Sequence, residues 1–134
     1  MDHITIETDI KLFYIQAESF PGGVMEAHQK MHSLNQFSPE RKTFGISRPE
    51  NGKIVYKAAA EELKKDDLRK HHLAEFTIPK GEYIVITIKN FRDDISDIMK
   101  AFDKLITVPD IDPNGYCIEW YKGLDDVLCM VKLK

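Results

Sequence analysis

The sequence predicts an α+β domain made of two βαββ repeats, with antiparallel sheet and two main helices. Three observations carry that prediction. The order strand, Pro-Gly turn, helix, two strands runs through residues 12–62 and again through 73–134. Each half closes on a hairpin-like pair: Lys42–Ser47 with Ile54–Glu62, and Tyr116–Tyr121 with Val127–Leu133. Between the first strand and the hairpin, each half holds a segment whose apolar residues recur at three and four positions. A duplication of this kind predicts packing about a pseudo-two-fold axis, with a cleft between the repeats.

Taken in order, Ile4–Ser19 reads as extended, and Pro21-Gly22-Gly23 breaks it. Val24, Ala27, Met31 and Leu34 then form one apolar stripe of a helix, which Asn35–Pro39 ends. Thr43–Ser47 is a short strand, Arg48–Gly52 a turn built on Pro49 and Asn51-Gly52, and Ile54–Ala60 the next strand. The charged run Glu61–His71 has almost no core-forming residue. It reads as a solvated turn or loop, with residues 63–72 as the connector between repeats.

Leu73–Ile78 opens the second half, Pro79-Lys80-Gly81 turns it, and Glu82–Lys89 is a strand rich in Ile, Val and Thr. Ile95, Ile98, Met99, Phe102, Leu105 and Ile106 mark the second helix. Asp93, Asp94 and Asp97 at its start suit the positive end of the helix dipole. Pro109 and Pro113 stop it, and Asn114-Gly115 turns the chain into the last hairpin.

A length of 134 residues fits one domain spanning 1–134, large enough for a real core. The net charge is −3, and no basic run exceeds Lys64-Lys65, so no direct nucleic-acid contact is expected. No stretch approaches the roughly 20 apolar residues of a membrane span. Met1-Asp2-His3 does not open a signal peptide, and a cytoplasmic protein is expected. Cys117 and Cys129 fall on the two strands of the last hairpin and read as free thiols.

The strand 116–121 carries most of the chemical interest. Alternation places Cys117, Glu119 and Tyr121 on one face, and Tyr116, Ile118 and Trp120, the single tryptophan, on the other. Glu119 in a cleft would be a buried anion favouring a cationic ligand, a nearby lysine or its own protonation. On a surface it would pair across the hairpin with a lysine. Tyr56 and Tyr83 are further candidates for an aromatic wall, and whether Trp120 lines the cleft stays open.

His28 and His32 stand four apart on the first helix without a third ligand, and His71-His72 with Glu75 is equally incomplete. Solvated helix positions are expected for the first pair, and no metal or other cofactor. Cys117 has no local base, and Pro21-Gly22-Gly23 has no Lys-Ser or Lys-Thr behind it to hold phosphate. In an apolar cleft Glu119 could have a raised pKa and serve as an acid or base.

Four motifs in order resemble GyrI-like small-molecule-binding domains. They are Arg41–Ser47 with Pro49, Ile54–Ala59, Ile78–Tyr83, and Gly115-Tyr116 through Glu119 and Tyr121 to Asp126–Val131. The resemblance covers the chain from about Leu12 onward and implies the duplicated βαββ fold also seen in SOUL haem-binding proteins and in effector domains of multidrug-responsive bacterial transcription regulators. It implies a cleft for amphipathic, often cationic or aromatic, molecules, with Glu119 as the cleft glutamate and Tyr121 as the tyrosine two residues on. Such domains are usually fused to a helix-turn-helix module, so a stand-alone binder is expected here. The family's likeness to hydrolases that open strained rings implies catalysis by Glu119 as an alternative, and its gyrase-inhibitor members imply a protein partner as another. The leading expectation is non-covalent binding of an amphipathic or cationic small molecule by Glu119, Tyr121, Tyr83, Tyr56 and Trp120. The oligomeric state is left open.

Overall fold

The computed structural model describes residues 1–34, 40–63, 68 and 71–134. Asn35–Pro39, expected from the sequence to end the first helix, and connector residues 64–67 and 69–70 lie outside them. The described chain divides into two compact units, Ile10–Ile78 (the first) and Met1–Asp9 with Pro79–Lys134 (the second).

In the first unit, β2 (Ile10–Gln16) leads to α1 (Val24–Ser33), then to β3 (Thr43–Glu50), β4 (Lys53–Ala60) and β5 (Ala74–Ile78); β1 (Asp2–Ile6) precedes them and belongs to the second unit. All pairings are antiparallel: β3 with β4, β4 with β2, and β2 with β5. Asn51 and Gly52 both have positive φ, 53° and 80°, as a two-residue hairpin turn of primed type requires. The turn is shorter than the sequence suggests. Arg48, Pro49 and Glu50 continue the strand, with Glu50 facing Lys53 and Pro49 facing Ile54. Since alternate antiparallel pairs exchange no hydrogen bonds, a proline one step from the closing pair costs that ladder nothing. α1 lays Ala27 and Met31 on a core of Phe13, Tyr56, Ala58, Ala60 and Leu68. Leu68 corrects the reading of the connector as solvated: it is 1% exposed, and its N–H bonds to Glu62 Oε2 at 3.1 Å.

In the second unit, β6 (Gly81–Ile88) leads through a 3₁₀ turn at Phe91–Asp93 to α2 (Ser96–Leu105), β7 (Cys117–Lys122) and β8 (Asp126–Lys132). β7 pairs with β8, β8 with β6, and β6 with β1, all antiparallel. The strand order therefore repeats that of the first unit: hairpin, first strand of the repeat, flanking strand. The repeated βαββ pattern expected from the sequence is present. The flanking strands differ in origin. The sequence reads Ile4–Ser19 as one extended run and Leu73–Ile78 as the opening of the second repeat. Instead, the first run breaks at residues 7–9 into β1 and β2, which pair in different units, and β5 pairs with β2.

Asp94 accepts hydrogen bonds from the backbone N–H and hydroxyl of Ser96 at the start of α2. The helix packs on β6 and β8. Ile98, Ala101 and Leu105 meet Ile84, Phe91, Val127, Cys129 and Val131. At about 1.5–3 kcal/mol for each large aliphatic side chain buried, this contact outweighs the intrinsic helix propensity of ten residues. The rest of the apolar run is not covered: Ile95, Met99 and Ile106 are exposed.

Candidate functional site

Glu119 stands third in β7, opposite Cys129 of β8, with Tyr121 opposite Val127. Strand alternation places Cys117, Glu119 and Tyr121 together on the face that carries α2, and Cys117 and Tyr121 pack against the core under that helix. Glu119 itself is only 7% exposed. The Tyr121 hydroxyl donates a hydrogen bond to Glu119 Oε1, and the Phe91 ring leans on Tyr121 at 5.5 Å and 60°. A carboxylate is thus held among apolar side chains by a phenol that is itself fixed by an aromatic neighbour. Burying such a charge is costly unless other groups compensate it, and a carboxylate can accept several hydrogen bonds.

The two thiols register this field. Cys117 lies two residues before Glu119 on the same face, which makes it a diagonal neighbour of Cys129; both are free. Burial pushes the Cys117 thiol up to about 11, with the Glu119 charge adding to it. Burial pushes Cys129 to about 12, with Glu119 and then Cys117 contributing. At neutral pH both are protonated and poor nucleophiles.

Of the aromatic residues expected to join Glu119, Trp120 and Tyr83 face away from it within the second unit, on the opposite face of the same sheet. Tyr83 is fully buried beside Val85 and donates its hydroxyl to the Pro79 carbonyl at 2.7 Å. Burial, and then the charges of Asp9 and Asp112, raise its phenol to about 12. Trp120 is half-buried, and the Lys122 ammonium sits 3.5 Å from its ring centroid, a cation–π contact within the chain. Tyr56 belongs to the first unit, 1% exposed. In the second unit, Glu119 and Tyr121 are brought together, and Trp120 and Tyr83 lie apart from them.

Tyr56 leads to a residue that sequence reasoning misread. Its hydroxyl oxygen is hydrogen-bonded to His28 Nε2 at 2.8 Å, and its ring packs on Phe20 at 6.0 Å and on His28 at 5.6 Å. His28 is therefore not a solvated helix position. Burial, and secondarily the neighbouring His32, lower its pKa to about 4, so its imidazole is neutral at pH 7. One signal was available: His28 follows Val24 by four residues and precedes Met31 by three, which places it on the apolar arc of α1. Each unit thus has a phenylalanine ahead of its helix, leaning on a hairpin tyrosine that holds an ionisable side chain.

Among the described residues, the other buried charged side chain is Lys57, on the face of β4 opposite Tyr56. Its ammonium lies 5.3 Å from the Tyr14 ring centroid. Burial lowers its pKa, Glu50 opposes that, and Arg48 adds to it. Among the described residues no cluster of three or more His, Cys, Asp or Glu side chains is placed to hold a metal ion, and no helix is long and apolar enough to cross a membrane.

No protein-family model matches the sequence, and no curated protein matches it. Among solved structures, the chain is similar to an integron cassette protein from the mobile metagenome of Vibrio cholerae. The TM-score is 0.69 at 12% identity, over 99% of this chain and 95% of that one. It is also similar to a protein solved bound to tetraphenylphosphonium, with TM-score 0.62 and 14% identity over 98% and 94%. A third is a bacterial transcription regulation protein, so described, from Staphylococcus aureus, at TM-score 0.57 and 13% identity over 98% and 97%. A hydrolase from Listeria innocua follows at 0.52 and 9%, over 99% and 90%. At these identities the likeness is one of fold: the chain has the α+β architecture of this group across nearly its whole length.

Proposed function

We propose that the chain is a GyrI-like ligand-binding domain that takes an amphipathic cation, with the Glu119 carboxylate as counter-ion and Tyr121 as the group that orients it. The observation that carries the reading is a buried carboxylate, 7% exposed, held by a tyrosine hydroxyl on an apolar, aromatic-flanked face. In such surroundings a cation would be attracted far more strongly than in water, because the local dielectric is low. The shared fold with a protein that binds tetraphenylphosphonium supports the same ligand class.

Calorimetric titration with tetraphenylphosphonium and with tetraphenylborate, an anion of nearly the same shape, tests the proposal. Wild type should bind the cation and not the anion. Glu119→Gln should weaken cation binding by about 2 kcal/mol or more, roughly thirtyfold, as for other buried charge partners. Equal binding of both ions, or an unchanged affinity in Glu119→Gln, would overturn it.

A second reading, hydrolysis of a small cytotoxic or strained molecule, draws on the same hydrogen bond, since a phenol beside a carboxylate is an acid–base pair. The shared fold with a hydrolase fits it. It requires turnover that Glu119→Gln abolishes while the fold survives.

A further inference from the structure

Helix α2 uses only part of its apolar surface on the sheet beneath it. Ile98, Ala101 and Leu105 are buried there. Beside that arc runs a second stripe, Ile95, Met99, Phe102 and Ile106, at spacings of four, three and four. Ile95 is 61% exposed, Met99 59% and Ile106 54%, with Phe102 half-buried at the edge of the core. Ile95 and Ile106 both keep right-handed helical φ and ψ at the ends of α2, so the stripe stays in phase over its length. Three neighbouring large apolar side chains exposed on one helix are unusual enough to ask what covers them.

We propose that the stripe is a self-association surface, on which α2 of a second copy packs antiparallel. The residue order is complementary to itself about the midpoint between Lys100 and Ala101. An antiparallel helix sets Ile95 opposite the partner's Ile106 and Met99 opposite the partner's Phe102, and the two-fold repeats both contacts. Lys100 and Asp103 lie on the solvent flank of the stripe, and the same operation brings Lys100 beside the partner's Asp103, twice. Antiparallel packing also sets opposite ends of the helix dipoles side by side. The existing contact of Lys100 is an exposed pair with Asp97 at 3.8 Å, which exchanges at little cost. The patch is small beside the interfaces of permanent dimers, so the association is concentration-dependent.

Sedimentation velocity of the full chain, from micromolar to about 0.5 mM, reads the outcome. Wild type should dimerise within this range. Met99→Lys, a change at an exposed position, should weaken the dimer at least about tenfold, with an unchanged circular dichroism spectrum. Lys100→Glu should weaken it about tenfold by creating two like-charge pairs, and K100E/D103K should return within about threefold of wild type. That recovery separates a registered interface from unspecific apolar association. A chain that stays monomeric throughout, a dimer indifferent to Met99→Lys, or a Lys100→Glu loss that the double variant does not recover would each overturn the proposal. None of these readings depends on ligand binding at Glu119.

Discussion

One share of this protein's acid stability rests on a single side chain, His28. Its imidazole is half-buried against Tyr56, and its pKa falls from 6.5 to about 4, chiefly through burial and secondarily through His32. The folded state therefore prefers neutral His28, and the unfolded chain takes up the proton more readily. The stability that the neutral form contributes is complete above pH 6.5 and is lost as the pH falls toward 4. Each tenfold change in proton affinity is about 1.4 kcal/mol, so the full loss is about 3 kcal/mol, of which about 2 kcal/mol has gone by pH 5. Urea unfolding of wild type and His28→Gln at pH 7 and pH 5 measures it. The variant cannot take the proton, so the difference between the two proteins cancels the carboxylates they share. Wild type should lose about 2 kcal/mol more than His28→Gln over that interval. Equal losses, or an NMR titration of the His28 ring with a midpoint near 6.5, would refute the reasoning.

Two further outcomes follow from the second unit. With pKa values near 11 and 12, Cys117 and Cys129 should react with iodoacetamide at neutral pH at least about a hundredfold more slowly in the folded protein than in urea, and Glu119→Gln should quicken Cys117. Mass spectrometry of the alkylated peptides checks both, and rapid labelling of the folded chain would contradict the burial assigned to the pair. Tyr121→Phe removes the donor to Glu119 and should destabilise the fold by about 1–2 kcal/mol in urea unfolding. No loss would mean that the hydrogen bond contributes nothing net.

What the sequence made legible was local. Asn51-Gly52 marks a turn because both positions must accept positive φ, and alternation alone puts Glu119 and Tyr121 on one face. The apolar spacing of α1 and α2 locates both helices within a residue or two. What it hid was non-local. Nothing within Ile4–Ser19 shows that β1 and β2 find partners in different units, because a strand's neighbours are chosen by segments far along the chain. Tyr83 looks like company for Glu119 because it is aromatic and stands in a strand of the same repeat. Which face of a sheet a residue takes, however, depends on register with β8, set by packing. Leu68 was lost in a charged run, and His28 was read by its polarity rather than by its place on the helix. The exposure of Ile95, Met99 and Ile106 was equally invisible, since an apolar arc wider than one contact does not announce which half the sheet will cover.

The two units reach a similar local arrangement with opposite electrical results. In each, a phenylalanine ahead of the helix steadies a hairpin tyrosine, and the tyrosine hydroxyl bonds an ionisable partner. The tyrosines come from different hairpin strands, β4 and β7, and the partner comes from the helix in one unit and from the strand itself in the other. Burial drives His28 to its neutral form, so the first unit hides a polar pair without a charge. In the second unit burial raises both neighbouring thiols and the Glu119 carboxylate adds to the rise, so its charge is felt by the side chains around it. Burial discharges a histidine near neutral pH at modest cost, because its ordinary pKa lies close by. A carboxylate starts more than two units below neutrality and needs a hydrogen-bond donor or a cation to remain buried and charged. On the proposed reading, a preference for cationic ligands would therefore reside in the second unit and rest on Glu119.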